Sequence, residues 1–89
     1  MITRNLQIQN KLGLHARAAS VFVKTASAFA SQITVKGPQK EANGKSIMSM
    51  MMLEAALGSQ VEVTVEGEDE TEAMEAIEQL IADKFGEDE

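Results

Sequence analysis

The chain has 89 residues, 44% of them hydrophobic and 25% charged, with a formal net charge of −6 and no cysteine. Such a composition suits one ordinary globular domain with a modest core, and without cysteine a disulfide scaffold, a thiolate zinc site and a cysteine nucleophile are excluded. One histidine excludes a multi-histidine metal centre, an acidic chain with three aromatic residues is a poor match for nucleic acid, and no apolar run nears the ~20 residues that span a bilayer, so a cytoplasmic protein without membrane insertion is expected.

Leu6 and Ile8 alternate with Asn5, Gln7 and Gln9, which predicts a first strand with one face on the core. Asn10 to Leu14 read as a loop around Gly13. From Ala16 to about Phe29, apolar residues recur at Ala19, Phe22, Val23, Ala26 and Phe29. That is helical spacing, and it sets Arg17, Ser20 and Lys24 on or near the other face. Ile33 and Val35 make a second short strand that Gly37-Pro38 ends, and residues 39–43 a weak third.

Asn43-Gly44 has the chemistry of a hairpin turn, but no alternating strand follows it. Instead "SIMSMMMLEAAL" predicts a helix with Ser46 as its N-cap and Gly58 as its stop. Met50 and Leu53 take core positions there, while Ile47, Met48 and Met51 point outward. Val61, Val63 and Val65 alternate with Glu62, Thr64 and Glu66 in the clearest strand of the chain. Asp69 and Glu72 read as a capping-box pair. The helix after them runs to about Lys84 and buries Ala73, Met74, Ile77, Leu80, Ile81 and Phe85, ahead of an acidic, frayed tail from about residue 86. The order β-α-β-β-α-β-α predicts an α+β, open-faced two-layer sandwich. Its four-stranded antiparallel sheet would be covered on one face by three helices, as a single domain over 1–89.

Several candidate chemistries fail on their own residues. "GKS" at 44–46 lacks the phosphate-loop glycine, because Gln39 occupies that position. Glu68 and Glu70 lie in an exposed capping segment, and no G-x-S-x-G surrounds a serine. His15 is left. On residues alone, a solitary histidine at a helix start is more often a solvated cap than a reactive group. Three local features weigh the other way. A helix N-terminus offers unpaired N–H groups and positive partial charge to an anion; the Arg17 guanidinium is a planar fork suited to phosphate oxygens; and small neighbours, Gly13 and Ala16, leave the imidazole open. The group is also the one side chain that ordinarily titrates near neutrality.

"GLHAR" at 13–17, "GKSIMSMMML" at 44–53 and "VEGEDE" at 65–70 occur in one order and spacing. Together they resemble the HPr phosphocarrier family of the bacterial phosphotransferase system, over essentially the whole chain. The resemblance implies that His15 accepts a phosphoryl group on Nδ1 from phosphorylated enzyme I, itself charged by phosphoenolpyruvate. It further implies passage to a histidine of an enzyme IIA, in sugar uptake or in a regulatory nitrogen-type branch. Arg17 and the backbone N–H groups of Ala16 and Arg17 would stabilise the transferred charge without metal or cofactor. Ser20, Lys24, Lys45, Ile47, Met48 and Met51 would form the docking surface, with Met adapting to several partners. Ser46 would be a regulatory site for HPr kinase/phosphorylase, where added negative charge repels an acidic partner.

The pattern departs from the family in three places. Ala18 stands where proline is usual, which keeps the helix but loses first-turn rigidity. Ser27 and Ser49 stand at positions that are often basic. A carrier of this kind is a monomeric, stoichiometric intermediate rather than a catalyst with turnover. Two other readings stay open on the sequence: a small phosphohydrolase using Arg17 as an anion clamp, and a regulatory binding module whose His15 is never phosphorylated.

Overall fold

The valine alternation folds as its period demands: Val61, Val63 and Val65 are buried, while Glu62 and Glu66 between and beyond them stay in water. In the computed structural model, which describes residues 1–88, the chain runs β1 (Ile2–Gln7), α1 (Ala16–Ser27), β2 (Gln32–Lys36) and β3 (Glu41–Asn43). It continues through α2 (Ile47–Met52), β4 (Gln60–Glu66) and α3 (Glu70–Ala82) to a short turn at Lys84–Gly86.

The strands form one antiparallel sheet in the order β1-β4-β2-β3. The last strand therefore slots between the first two, with Val65 paired to Ile2 on one side and Ile33 on the other. Helices cover one face. Ala18, Ala19, Phe22 and Ala26 of α1, Met50 of α2, and Ala73, Met74, Ile77 and Ile81 of α3 meet Ile33, Val35 and the β4 valines in a single core. Phe22 is its largest fully buried side chain, and truncating it to alanine would cost about 3–5 kcal/mol. The predicted open-faced α+β sandwich is the observed one.

Three boundaries differ from the sequence expectation, each for a local reason, and one cap differs for a tertiary one. β1 starts at Ile2 and ends before Ile8. As an edge strand it leaves Thr3, Arg4 and Asn5 exposed and carries little alternation to read. Ile8, fully buried, exchanges backbone bonds with the 58–59 turn instead, its N–H donating to the Ser59 carbonyl and its carbonyl accepting from Gly58 N–H, both at 2.8 Å. α1 stops at Ser27, where the N–H groups of Ala28 and Phe29 tighten onto Thr25 and Ala26. α2 stops at Met52 rather than running to Gly58, because Glu54 takes the left-handed conformation (φ 52°) that ends helices and is usually left to glycine.

At α3 the helix starts after Asp69 as expected, but without the expected capping box. The Asp69 side chain makes no capping bond to its own helix. Its carboxylate accepts from Ala30 N–H (2.8 Å), Ser31 N–H (2.9 Å) and the Ser31 hydroxyl, tying α3 to the loop between α1 and β2. Those bonds, the Ser31 hydroxyl foremost, hold the Asp69 carboxyl below the ordinary aspartate range. Three tertiary donors outcompete a local box. Leu53 and Leu80 are half-buried, and Phe85 is buried as expected.

Candidate functional site

Gly13 sets the approach to His15. Its φ of 66° lies in the left-handed region, and a β-carbon there would fall on the backbone of Ala55 and within 2.8 Å of the Ala56 α-carbon. The chain passes that closely because Leu14 N–H donates to the Ala55 carbonyl at 2.8 Å, while the Leu14 side chain is buried. The next residue must then emerge at the surface. His15 is extended (φ −77°, ψ 179°), occupies the N-cap of α1, and gives its carbonyl to the Ala19 N–H at 2.8 Å.

The ring is bonded at both nitrogens. Nδ1 lies 3.3 Å from the Arg17 amide and Nε2 lies 2.6 Å from Glu87 Oε2. An amide N–H can only donate, so Nδ1 accepts and carries no proton. Nε2 then bears the hydrogen and donates it to the carboxylate. The lone pair of Nδ1 faces the N-terminus of a twelve-residue helix, where first-turn amides and the helix dipole favour negative charge. With 29% of its side chain exposed, the imidazole is reachable without being loose.

Arg17 is exposed, and with Lys11, Leu12, His15, Gly86, Glu87 and Asp88 it lines an open concavity of about 470 Å³. Burial pushes the Glu87 carboxyl up. Hydrogen bonds from Asn10 and His15, with the positive charge of Arg17 nearby, outweigh that and hold it below the ordinary glutamate range. The segment from about residue 86, expected to be a frayed tail, is not frayed at Glu87, which Asn10 and His15 seat on the site.

A second groove joins the histidine to α2, lined by Leu12, His15, Ala16 and Met51 among others. Ile47, Met48 and Met51 are exposed, Met48 at 73%, whereas Met50 on the same short helix is fully buried. Leu12 and Met52, which sequence reasoning did not single out, are exposed too. An apolar residue inside the polar 10–13 loop was the available signal for Leu12. Ser20 and Lys24 lie exposed along α1. The Lys45 ammonium donates to the Phe29 carbonyl at 2.7 Å, which places this cation just past the C-terminal end of α1. Ser46 caps α2, its hydroxyl accepting from Ser49 N–H at 3.3 Å. Among the described residues no cluster of three or more potential metal ligands occurs, and no helix is long and apolar enough to cross a membrane.

Fold and site together define an open-faced sandwich that presents one capped imidazole at a helix start. Residues 2–83 match the family described as the PTS HPr component phosphorylation site. The phosphocarrier protein HPr of Neisseria meningitidis serogroup A is 49% identical over 89 residues, with both chains covered in full. The crystal structure of HPr-C-His from Thermoanaerobacter tengcongensis matches with a TM-score of 0.94 at 48% identity, again over the whole of both chains. An HPr dimer from the same organism matches at 0.77 and 49% identity, covering 98% of this chain and 100% of that one. The chain belongs to the HPr family of phosphocarriers of the phosphotransferase system.

Proposed function

We propose that His15 is the phosphoryl acceptor and donor of this chain, receiving the group from phosphorylated enzyme I and handing it to a histidine of an enzyme IIA. The observation that carries the reading is that Nδ1 of a partly exposed ring accepts from the Arg17 amide at 3.3 Å, in a chain of the HPr family. The Nδ1 lone pair attacks phosphorus, and the bond from phosphorus to its donor breaks with its electron pair left on the donor. The reverse sequence releases the group to the acceptor. Transfer of this kind is mainly positioning plus stabilisation of charge on the equatorial oxygens. The Ala16 and Arg17 amides and the Arg17 guanidinium supply that stabilisation.

The open form of the site suits a carrier, which must hold the group briefly and release it. On this reading the protein is a stoichiometric intermediate of the cytoplasm, without turnover of its own, and works as a monomer. Exposed Ile47, Met48 and Met51, joined to His15 through the Met51 groove, form the docking surface, with Ser20, Lys24 and Lys45 contributing polar and cationic contacts at its rim. Ser46 is the regulatory position: phosphate added by an HPr kinase/phosphorylase would sit at the α2 start beside that apolar patch, and its charge would disfavour an acidic partner.

Incubation with enzyme I and labelled phosphoenolpyruvate tests the proposal. An acid-labile, base-stable label that is lost in His15→Ala is the expected outcome. A label that persists in that variant, or none in the parent protein, overturns it, and release of free phosphate with turnover would favour a hydrolase.

A further inference from the structure

The concavity beside His15 holds a group that attack through Nδ1 does not itself use. Glu87 lies 72 positions from His15 in the chain, yet its Oε2 is 2.6 Å from Nε2. A carboxylate so close to a site for a dianion works against that site unless it does something there. Its placement is also costly to the backbone. Lys84 and Phe85, both non-glycine, take φ of 57°, and Gly86 follows at 78°. Consecutive left-handed residues of this kind persist only where their surroundings over-determine them. Phe85, 5% exposed, is the anchor that does so. Beyond the turn Glu87 is held a second time: Asn10, fully buried, donates its Nδ2 to Glu87 Oε1 at 2.9 Å and to the Gly13 carbonyl at 2.8 Å. One amide thus links the carboxylate to the loop that delivers His15.

We infer that Glu87 is a positioning residue for phosphoryl transfer, fixing the imidazole as the Nε2–H tautomer and stabilising the positive charge the ring acquires when Nδ1 is phosphorylated. The inference rests on the reading of His15 as the acceptor. Its chemistry balances without a proton transfer. A neutral ring carrying hydrogen on Nε2 attacks through Nδ1, the N–P bond forms, and the donor keeps the electron pair of the bond that breaks. The ring then holds a hydrogen on one nitrogen and phosphorus on the other, and is an imidazolium. A carboxylate on the Nε2 side meets that charge from the side opposite the phosphoryl oxygens. The logic is that of carboxylates that orient a reactive histidine and stabilise its cation. In onward transfer the same cation leaves as a neutral imidazole, a good leaving group, so Glu87 serves both directions.

Two readouts test this on the full-length protein. The first is the ¹⁵N chemical shifts of the His15 ring without phosphate. The parent should show the Nε2–H tautomer, and Glu87→Ala should show a mixture with Nδ1–H. Glu87→Gln keeps the size but must turn an NH₂ toward either Asn10 Nδ2 or His15 Nε2, so it too should shift the balance. The second is the single-turnover rate from phosphorylated enzyme I, which should fall about 10–100-fold in both variants, by analogy with the hydrogen-bond partners that orient metal-bound imidazoles. A parent ring in the Nδ1–H form, or parental tautomer and rate in both variants, overturns the inference. Were the parent to take no phosphoryl group at all, the acceptor reading would fail by itself, and the tautomer measurement would still decide whether Glu87 orients the ring.

Discussion

Helices α1 and α2 begin in the same way. Each is preceded by an extended residue whose side chain accepts an N–H of the first turn, His15 from Arg17 and Ser46 from Ser49, both at 3.3 Å. Both N-caps are sites at which a phosphoryl group is expected, yet their surroundings differ. His15 follows a left-handed glycine pressed onto the backbone of Ala55, has a guanidinium in the same concavity, and is bonded at its far nitrogen by a carboxylate. Ser46 opens a six-residue helix whose next two side chains, Ile47 and Met48, are exposed and apolar. A helix start by itself favours an anion at either place. On the proposed reading, what would separate a relay atom from a regulatory one is the second set of contacts, which holds the nucleophile and matches the charge of the transferred group.

The largest expected effect that sharpens this contrast is Arg17→Ala. Losing one charge-stabilising donor should lower the transfer rate from enzyme I about 10²–10³-fold, with the urea midpoint little changed because the side chain is exposed. Stopped-flow transfer and equilibrium unfolding check the two halves. Gly13→Ala attacks the seating of His15 instead. A non-glycine left-handed residue costs of order 1–3 kcal/mol, and the clash with Ala55 and Ala56 must move the loop, so stability and transfer should fall together.

Ser46 should divide differently. Ser46→Ala removes a cap worth about 1 kcal/mol and should leave transfer at the parental rate. Ser46→Asp keeps a capping oxygen, so the fold should hold while its charge slows transfer from enzyme I. Parental transfer in Ser46→Asp would contradict the regulatory reading.

The smallest effect is expected at α3, the helix whose N-cap residue does not cap. Asp69→Asn retains one acceptor of the bridge to Ala30 and Ser31, so the loss is partial. Because the folded carboxyl titrates below its unfolded value, the unfolded state binds more protons between the two values, and stability rises with pH there. The advantage of Asp69 over Asn is therefore full above about pH 4 and disappears as pH falls through the depressed native value. Thermal melts of both proteins across that range test the sign.

Much of this was legible in the residues because the signals are local. The valine alternation of β4, the helical spacing of α1 and the Ser46 cap each lie within a few positions. His15 stood out because its neighbours, Gly13, Ala16 and Arg17, have the chemistry expected around an anion. What the chain hid depends on distance or on broken convention. Glu54 ends α2 in a conformation normally signalled by glycine, so the helix read too long. Asp69 and Glu72 have the spacing of a capping box, but the carboxylate answers to Ala30 and Ser31, far away in sequence. Glu87 sits in an acidic run that looks like a solvated tail. Nothing near it announces the buried Asn10 amide or the left-handed turn at Phe85 that bring it to the histidine.

The central claim is that one nitrogen of one ring carries the phosphoryl group. Phosphorus–nitrogen couplings in the ¹⁵N-labelled protein, recorded after phosphorylation by enzyme I, test it most directly. The account predicts a single adduct coupled to Nδ1 of His15, with a hydrogen retained on Nε2; phosphorus on Nε2, or on any other residue, would contradict it.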